Sequence, residues 1–323
     1  MRARQLPGVL VPVVCVVMGS AGWAEEGIGG YAGAFLRLGV APRAQAMGDA
    51  FVAVPEGASV GLYNPAGVAL LKDLQAEAVA GVLSLDRALH VLSFAVPVRP
   101  KGIGAMDGGL GLSWVHAAVT NIDGRDADGA HIGTFSNAEN AFVFSFAVRP
   151  HRVLGVGITG TILYNRLPGV TRDNGTLTSS GVGINIGVMV VPLPSLVVGA
   201  AVHNINAKYT WNTEKVYERG TSVVDRFPVS LRAGASYRPS FGWLLASAEL
   251  EQSDLQGTLY RCGVEAVVAR QLALRAGVDN GRLRCGLGLA LTVLGHTAGL
   301  DYAYLPTVEG VAGDHIFAWV FHF

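Results

Sequence analysis

Charge is scarce in this chain. Of 323 residues, 24 are Lys or Arg and 24 are Asp or Glu, together 15%, where a soluble domain carries roughly 25%. The two signs cancel, so the basic excess that nucleic-acid binding requires is missing. Cysteine is scarce too, with three in all, too few for a fold held by disulfides. Repeated long apolar runs are also missing, although a helical membrane protein would show several stretches of about 20 apolar residues. Yet the chain is not polar. Its hydrophobic share of 50% and mean hydropathy of +0.39 exclude disorder, and 43 residues are glycine, about twice the usual share of roughly 7%. The composition is that of a membrane protein, and the segments are not those of a helical one.

The first residues read as an export signal. Arg2 and Arg4 precede an apolar stretch at residues 8–19, which ends in the small residues of SAGWA, so residues 1–24 are expected to be a cleaved signal peptide. Cys15 falls within that stretch. The other two cysteines, Cys262 and Cys285, are expected to be buried thiols on strands separated by one further strand, too far apart to bridge.

From residue 77 onward the chain alternates. AFVFSFAV sets Phe142, Phe144, Phe146 and Val148 on one face and Val143, Ser145 and Ala147 on the other. GLGLSWVHA and PVSLRAGASYRP behave the same way, and a period of two means strands. Residues 182–201 are the one uncharged stretch long enough to span as a helix, but Pro192 and Pro194 interrupt it, so it is expected to be a hairpin turning at PLPS. Counting in this way yields about fourteen strands, including single strands at 196–210 and 225–238. Short connections (PH, PLPS, PSF, ARQ) alternate with long polar ones such as residues 120–138, 166–179 and 211–224. An all-β fold follows: an antiparallel transmembrane β-barrel of about fourteen strands in a bacterial outer membrane, with both termini periplasmic. Every second residue would then meet lipid, and the opposite face would carry Arg232, Glu249, Arg261, Glu265, Arg275, Asp279, Arg284 and Asp301 into the lumen, where opposite charges can pair. Phe317, Trp319, Phe321 and the terminal Phe323 share one face of the last strand. That aromatic end is similar to the signal by which barrel-assembly machinery recognises its clients.

Residues 25–76 differ in kind. They lack sustained alternation, yet contain Phe35, Leu36, Leu38, Met47, Phe51, Leu62 and Tyr63, which need burial; a fourteen-strand lumen is wide enough to hold them. The segment is therefore expected to be a plug inside the barrel formed by residues 77–323. The motifs RAQAMGDAFVAV (43–54) and ASVGLYNPAG (58–67) carry a resemblance to the FadL family of outer-membrane transporters and its smaller PorV-like relatives, with Asn64, Pro65, Ala66 and Gly67 matching the family's plug motif. The resemblance implies passive uptake of long-chain fatty acids or similar hydrophobic molecules past a movable plug, with Phe35, Leu36, Leu38, Phe51, Leu62 and Tyr63 as candidate ligand contacts. Asn64 would tie the plug to backbone by hydrogen bonds. The rival expectation is a PorV-like adaptor that binds exported proteins.

Catalytic readings are weak. GASVG (57–61) spells a nucleophile elbow without the alternating strands and helices that would build one, so Ser59 is read as a helix cap. GVGITG (155–160) spells a dinucleotide fingerprint but runs on into a strand, its glycines being expected on the lumen side. The eight histidines lack metal-ligand spacing. No enzyme activity, metal, cofactor or nucleic acid is expected; the expected partners are hydrophobic small molecules, outer-membrane lipid and the assembly machinery.

Overall fold

The computed structural model describes residues 31–102, 106–255, 257–293, 296–307 and 310–323; the expected signal peptide and residues 25–30 lie outside them. Fourteen strands close a barrel. In chain order these are β1 (Gln75–Leu83), β2 (Arg87–Val98), β3 (Asp107–Arg125), β4 (His131–His151), β5 (Leu154–Pro168), β6 (Thr176–Leu193) and β7 (Leu196–Ile205), then β10 (Ser230–Tyr237), β11 (Leu244–Ser253), β12 (Leu259–Ala269), β13 (Leu272–Asp279), β14 (Arg282–Val293), β15 (His296–Leu305) and β16 (Asp314–His322). Between β7 and β10 a separate two-stranded sheet pairs β8 (Lys208–Asn212) with β9 (Ser222–Arg226). Each barrel neighbour is antiparallel, and β16 closes on β1 with Gln75 opposite His322 and Val82 opposite His315.

The alternation sorts into two faces as the period of two requires. Leu110, Leu112, Phe142, Phe144, Phe146, Leu231, Trp319 and Phe321 are exposed on the outside, while Ser113, Val143, Ser145, Ala147 and Arg232 are buried within. A closed wall with large apolar side chains outside and polar or small ones inside is a transmembrane barrel. Closure also removes the unpaired strand edges that hydrocarbon cannot solvate. No helix among the described residues is long and apolar enough to cross a membrane.

Several boundaries differ from expectation. The loop expected at 120–138 is mostly a continued hairpin, with β3 and β4 pairing as far as Arg125 and His131, because backbone pairing does not stop where the apolar pattern does. The expected strand 196–210 breaks after Ile205, where Asn204 and Asn206 take left-handed φ of 62° and 59° and turn the chain inward. The expected strand 225–238 is interrupted by Pro228, which has no N–H to donate to a ladder. Cys262 and Cys285 are exposed rather than buried, since their register places them on the outer face. Gly160 likewise sits on the outer face of β5, unlike Gly155 and Gly157.

Candidate functional site: where the N-terminal segment meets the wall

Residues 31–74 form short helices, α1 (Ala34–Arg37), α2 (Pro42–Ala46) and α3 (Val60–Tyr63), followed by a 3₁₀ turn at Pro65–Leu70. Their partners lie on opposite sides of the barrel. The 3₁₀ turn packs on β2 through β6, and α2 packs on β13 through β16, so the segment runs across the lumen. Its side chains are almost wholly buried there; Ala44, Ala46, Met47, Asn64, Ala66, Val68 and Ala69 have no exposed surface.

Glycine makes a close approach possible on both sides: a Cβ at Gly263 or Gly277 would overlap the backbone of Met47 and Gly48 beside α2, and the 3₁₀ turn meets the wall in the same way. A Cβ at Gly157 would overlap the backbone of Pro65 and Ala66, one at Gly187 would overlap the Asn64 side chain, and one at Gly109 would overlap the Val68 carbonyl. Strand glycine often marks such a near contact between backbones.

Asn64 ties the side at the 3₁₀ turn together. Its Nδ2 lies 2.8 Å from the carbonyl of Val52, 3.1 Å from that of Val188 and 3.3 Å from that of Ala200, the last two being register partners on β6 and β7. Its Oδ1 accepts from the Ala66 N–H at 3.1 Å, which caps the 3₁₀ turn with Pro65 at its first position. Around it, Thr159 donates to the Gly61 carbonyl and shares a hydrogen bond with Ser145, and Ser236 donates to the Ala53 carbonyl. Ser59 precedes α3 but does not cap it. Its hydroxyl instead donates to the Glu77 carboxylate and lies 3.1 Å from Ser93, because β1 is closer to Oγ than its own helix's amides are.

The opposite side is ionic. Arg43 makes two bonds of 2.7 Å to Glu265 and one of 2.7 Å to Glu56. Glu265 also accepts from Arg275, whose Nη1 reaches Asp301 at 2.6 Å. Glu249 accepts the backbone N–H groups of Phe51 and Val52, each at 2.9 Å, and Arg261 at 3.2 Å. Arg261 continues to Glu251 and Asp279, Arg284 bonds Asp279, and Arg232 lies 3.1 Å from Glu251 and 3.8 Å from Asp49. All eight charged residues expected in the lumen are therefore joined in ion pairs. What the sequence reading missed is that much of this network is aimed at the N-terminal segment, through Arg43, Asp49 and Glu56, with Glu251 and Arg238 completing it. Arg43 stood within a quoted motif, but its partner Glu265 is 222 positions away, so no local pattern could have paired them. Partial burial would raise the Glu56 carboxyl; Arg43 and Arg238 outweigh that and hold it below the ordinary glutamate range.

The six apolar candidates do not line one pocket. Phe51 stacks obliquely on Tyr63, with ring centroids 5.2 Å apart, and the Tyr63 hydroxyl accepts the N–H groups of Val40 and Ala41. Phe35 is buried in a core cluster with Tyr209 and Phe227, and Leu36, Leu38 and Leu62 pack partly buried against that cluster. Tyr209 comes from the inward-folded β8–β9 hairpin, which bonds to β6 through Ser179 and Thr210 and to Glu139 on β4 through the Tyr209 hydroxyl. Cavities flank the segment among the described residues. One of about 1000 Å³ lies toward the short turns and is lined by Arg99, Arg149, Pro194, Arg270, Leu71 and Phe51 among others; one of about 50 Å³ lies on the other side of the segment. Trp319, Phe321 and Phe323 stand exposed on the outer face at the closing strand. No cluster of three or more metal-ligating side chains occurs among the described residues.

Solved structures share this architecture. The Ralstonia pickettii toluene transporter TbuX superposes with a TM-score of 0.62 at 14% identity, covering 88% of this chain and 98% of its own. The fold is that of the FadL-type channels. A Pseudomonas aeruginosa FadL homologue matches with a TM-score of 0.61 at 13% identity over 88% of this chain and 98% of that one. The P. putida toluene transporter TodX matches with a TM-score of 0.61 at 12% identity over 88% and 99%. At these identities the FadL-type likeness is one of fold. No protein-family model and no curated protein matches the sequence.

Proposed function

We propose that this chain is a bacterial outer-membrane channel for passive passage of hydrophobic small molecules, with long-chain fatty acids as the leading substrate class and residues 31–74 as its plug. The short turns and both termini would face the periplasm, the outer face would meet outer-membrane lipid, and Trp319, Phe321 and Phe323 would be read by the barrel-assembly machinery. The observation that carries the reading is a FadL-type barrel whose lumen is crossed by a segment held by an apolar cluster shared with the wall and by many separable polar contacts. Asn64 is the pivot: one side chain bonds the segment to itself and to two strands, so its release would uncouple both. A hydrophobic solute delivered along such a route avoids a water-filled pore. The neighbours described as toluene transporters and as a FadL homologue support the hydrophobic class without choosing between aromatics and acyl chains.

One observation favours the adaptor reading. The apolar candidates pack into one filled cluster, and the cavity beyond the segment is only about 50 Å³, too small for an acyl chain. A protein purified in mild detergent that carries extractable fatty acid, and that restores oleate uptake to a transport-deficient diderm host, supports the channel. Uptake at the host's background level, with a well-folded barrel in the membrane, would falsify it and leave the adaptor.

A further inference from the structure

The 50 Å³ cavity lies between the N-terminal segment and the inner faces of β4 to β7 and β10, and its wall is unusually polar: Arg37, Asp49, Thr161, Asn185, His203 and Ser230 contribute to it. Two of these residues have atoms with no hydrogen-bond partner among the described residues. Arg37 donates from Nη1 to the Ala32 carbonyl, but its Nε and Nη2, both buried, reach no acceptor among the described residues. Asp49 is 2% exposed, and its Oδ1 reaches no donor among them. Buried polar atoms in folded proteins are nearly always hydrogen-bonded, so a donor pair and an acceptor on residues that line one cavity point to a bound species that both donates and accepts.

We infer that this cavity is a hydration site, in which bound water bridges Arg37 and Asp49 of the N-terminal segment to the barrel wall. Three observations agree on water. A volume of about 50 Å³ exceeds the roughly 10–15 Å³ that admits one water and, at about 30 Å³ per molecule in the liquid, has room for about two. The wall supplies several polar partners, more than the two to four a buried water uses. An anion would face the Asp49 carboxylate, and a cation would face the Arg37 and Arg232 guanidinium groups, whereas water serves both. The seam on this side is therefore solvated, while the seam under the 3₁₀ turn is closed by glycine-to-backbone contact. Separating the segment from the wall at the wet seam leaves Arg37 and Asp49 their water partners. The hydration site stands on the cavity and its side chains and does not depend on what the barrel transports.

X-ray hydroxyl-radical footprinting of the full chain in detergent tests this, because bound water generates radicals in place. Tyr63 and Tyr209 are equally buried, at 3% and 1%, as are Val143 and Val115, at 2% and 0%, but only Tyr63 and Val143 line the cavity. Tyr63 and Val143 are expected to be modified several times faster than their counterparts. Equal rates within both pairs overturn the inference. Filling the space with Thr161→Leu should bring Tyr63 down to the Tyr209 rate, and an unchanged Tyr63 rate in a folded variant also overturns it. If that variant does not fold, the wild-type pairs decide alone. Crystallographic density for a non-water molecule bridging Arg37 and Asp49 would equally refute water as the occupant.

Discussion

The two sides of the lumen hold the same segment by partly different physics. On β2 to β7 the wall offers small residues, hydroxyls and its own backbone, so the 3₁₀ turn lies against it at van der Waals distance and Asn64 reaches carbonyls on two strands. On β10 to β15 the wall also approaches closely, with Gly263 and Gly277 against the Met47 and Gly48 backbone and Gly286 against Ala46, and it adds long charged side chains that bind Arg43, Asp49 and the amides of Phe51 and Val52. Close packing tolerates no added volume but is indifferent to pH and salt. An ion-pair network tolerates shape changes and fails when one partner is removed, because the other charge stays buried. The segment is thus closely packed on both sides, and on β10 to β15 it is held by an ion-pair network as well.

Four experiments sharpen or break that contrast. The largest effect is expected from Glu249→Ala, which leaves two buried amides without their acceptor and removes one of the three carboxylates around Arg261. A loss of about 3–5 kcal/mol is expected from removing one partner of a buried pair, read as a lower midpoint in urea unfolding from micelles. Gly187→Val comes next. Its added volume collides with Asn64 and Pro65, and overpacking of about 1–3 kcal/mol should appear as a barrel that loses its heat-modifiable gel shift at lower temperature; wild-type behaviour would show that the wall at Asn64 is not close-packed. Asn64→Ala should cost about 1–3 kcal/mol and render residues 31–74 sensitive to protease while the strands stay protected. Protease resistance equal to wild type would show that Asn64 does not hold the segment.

The smallest effect is expected at the half-buried pair of Glu56 with Arg43 and Arg238. Because the Glu56 pKa is depressed in the fold, its contribution is present above the ordinary glutamate range and is lost as pH falls through the depressed value. Glu56→Gln should abolish that acid-dependent part, at most about 1 kcal/mol for a partly exposed pair. The protease sensitivity of the segment in the variant should then change less between neutral and acidic pH than in wild type. The same acid response in both proteins would locate the titrating group elsewhere.

Local pattern carried much of the fold and little of the site. Alternation in residues 142–148 and 230–237 is a property of neighbours in sequence, so the strand count and the assignment of faces could be read directly. The hairpin at PLPS followed from two prolines. Alternation beside the lumen-facing Arg261 and Arg284 also put Cys262 and Cys285 on the apolar outer face, but an apolar face of a barrel is its exposed surface, so the thiols expected to be buried are exposed. The inward turn after Ile205 rested on two asparagines adopting left-handed backbone, which asparagine permits but does not compel. Asn64 stood out because Asn64, Pro65, Ala66 and Gly67 match the plug motif of the FadL family, whereas Ser59 looked like a cap only because the carboxylate beside it was out of sight.

From its residues alone this protein's composition and period determined that it is a closed, lipid-facing barrel with a charged interior sector, because burial against hydrocarbon imposes the same two-residue rule on every strand. Only the tertiary structure decided what that sector holds. Arg43 and Glu265 are 222 residues apart and meet because the wall closes on itself; a contact made by closure leaves no periodic trace in the chain. The scarcity of charge marks the outer face, and the few charges present serve the inner one.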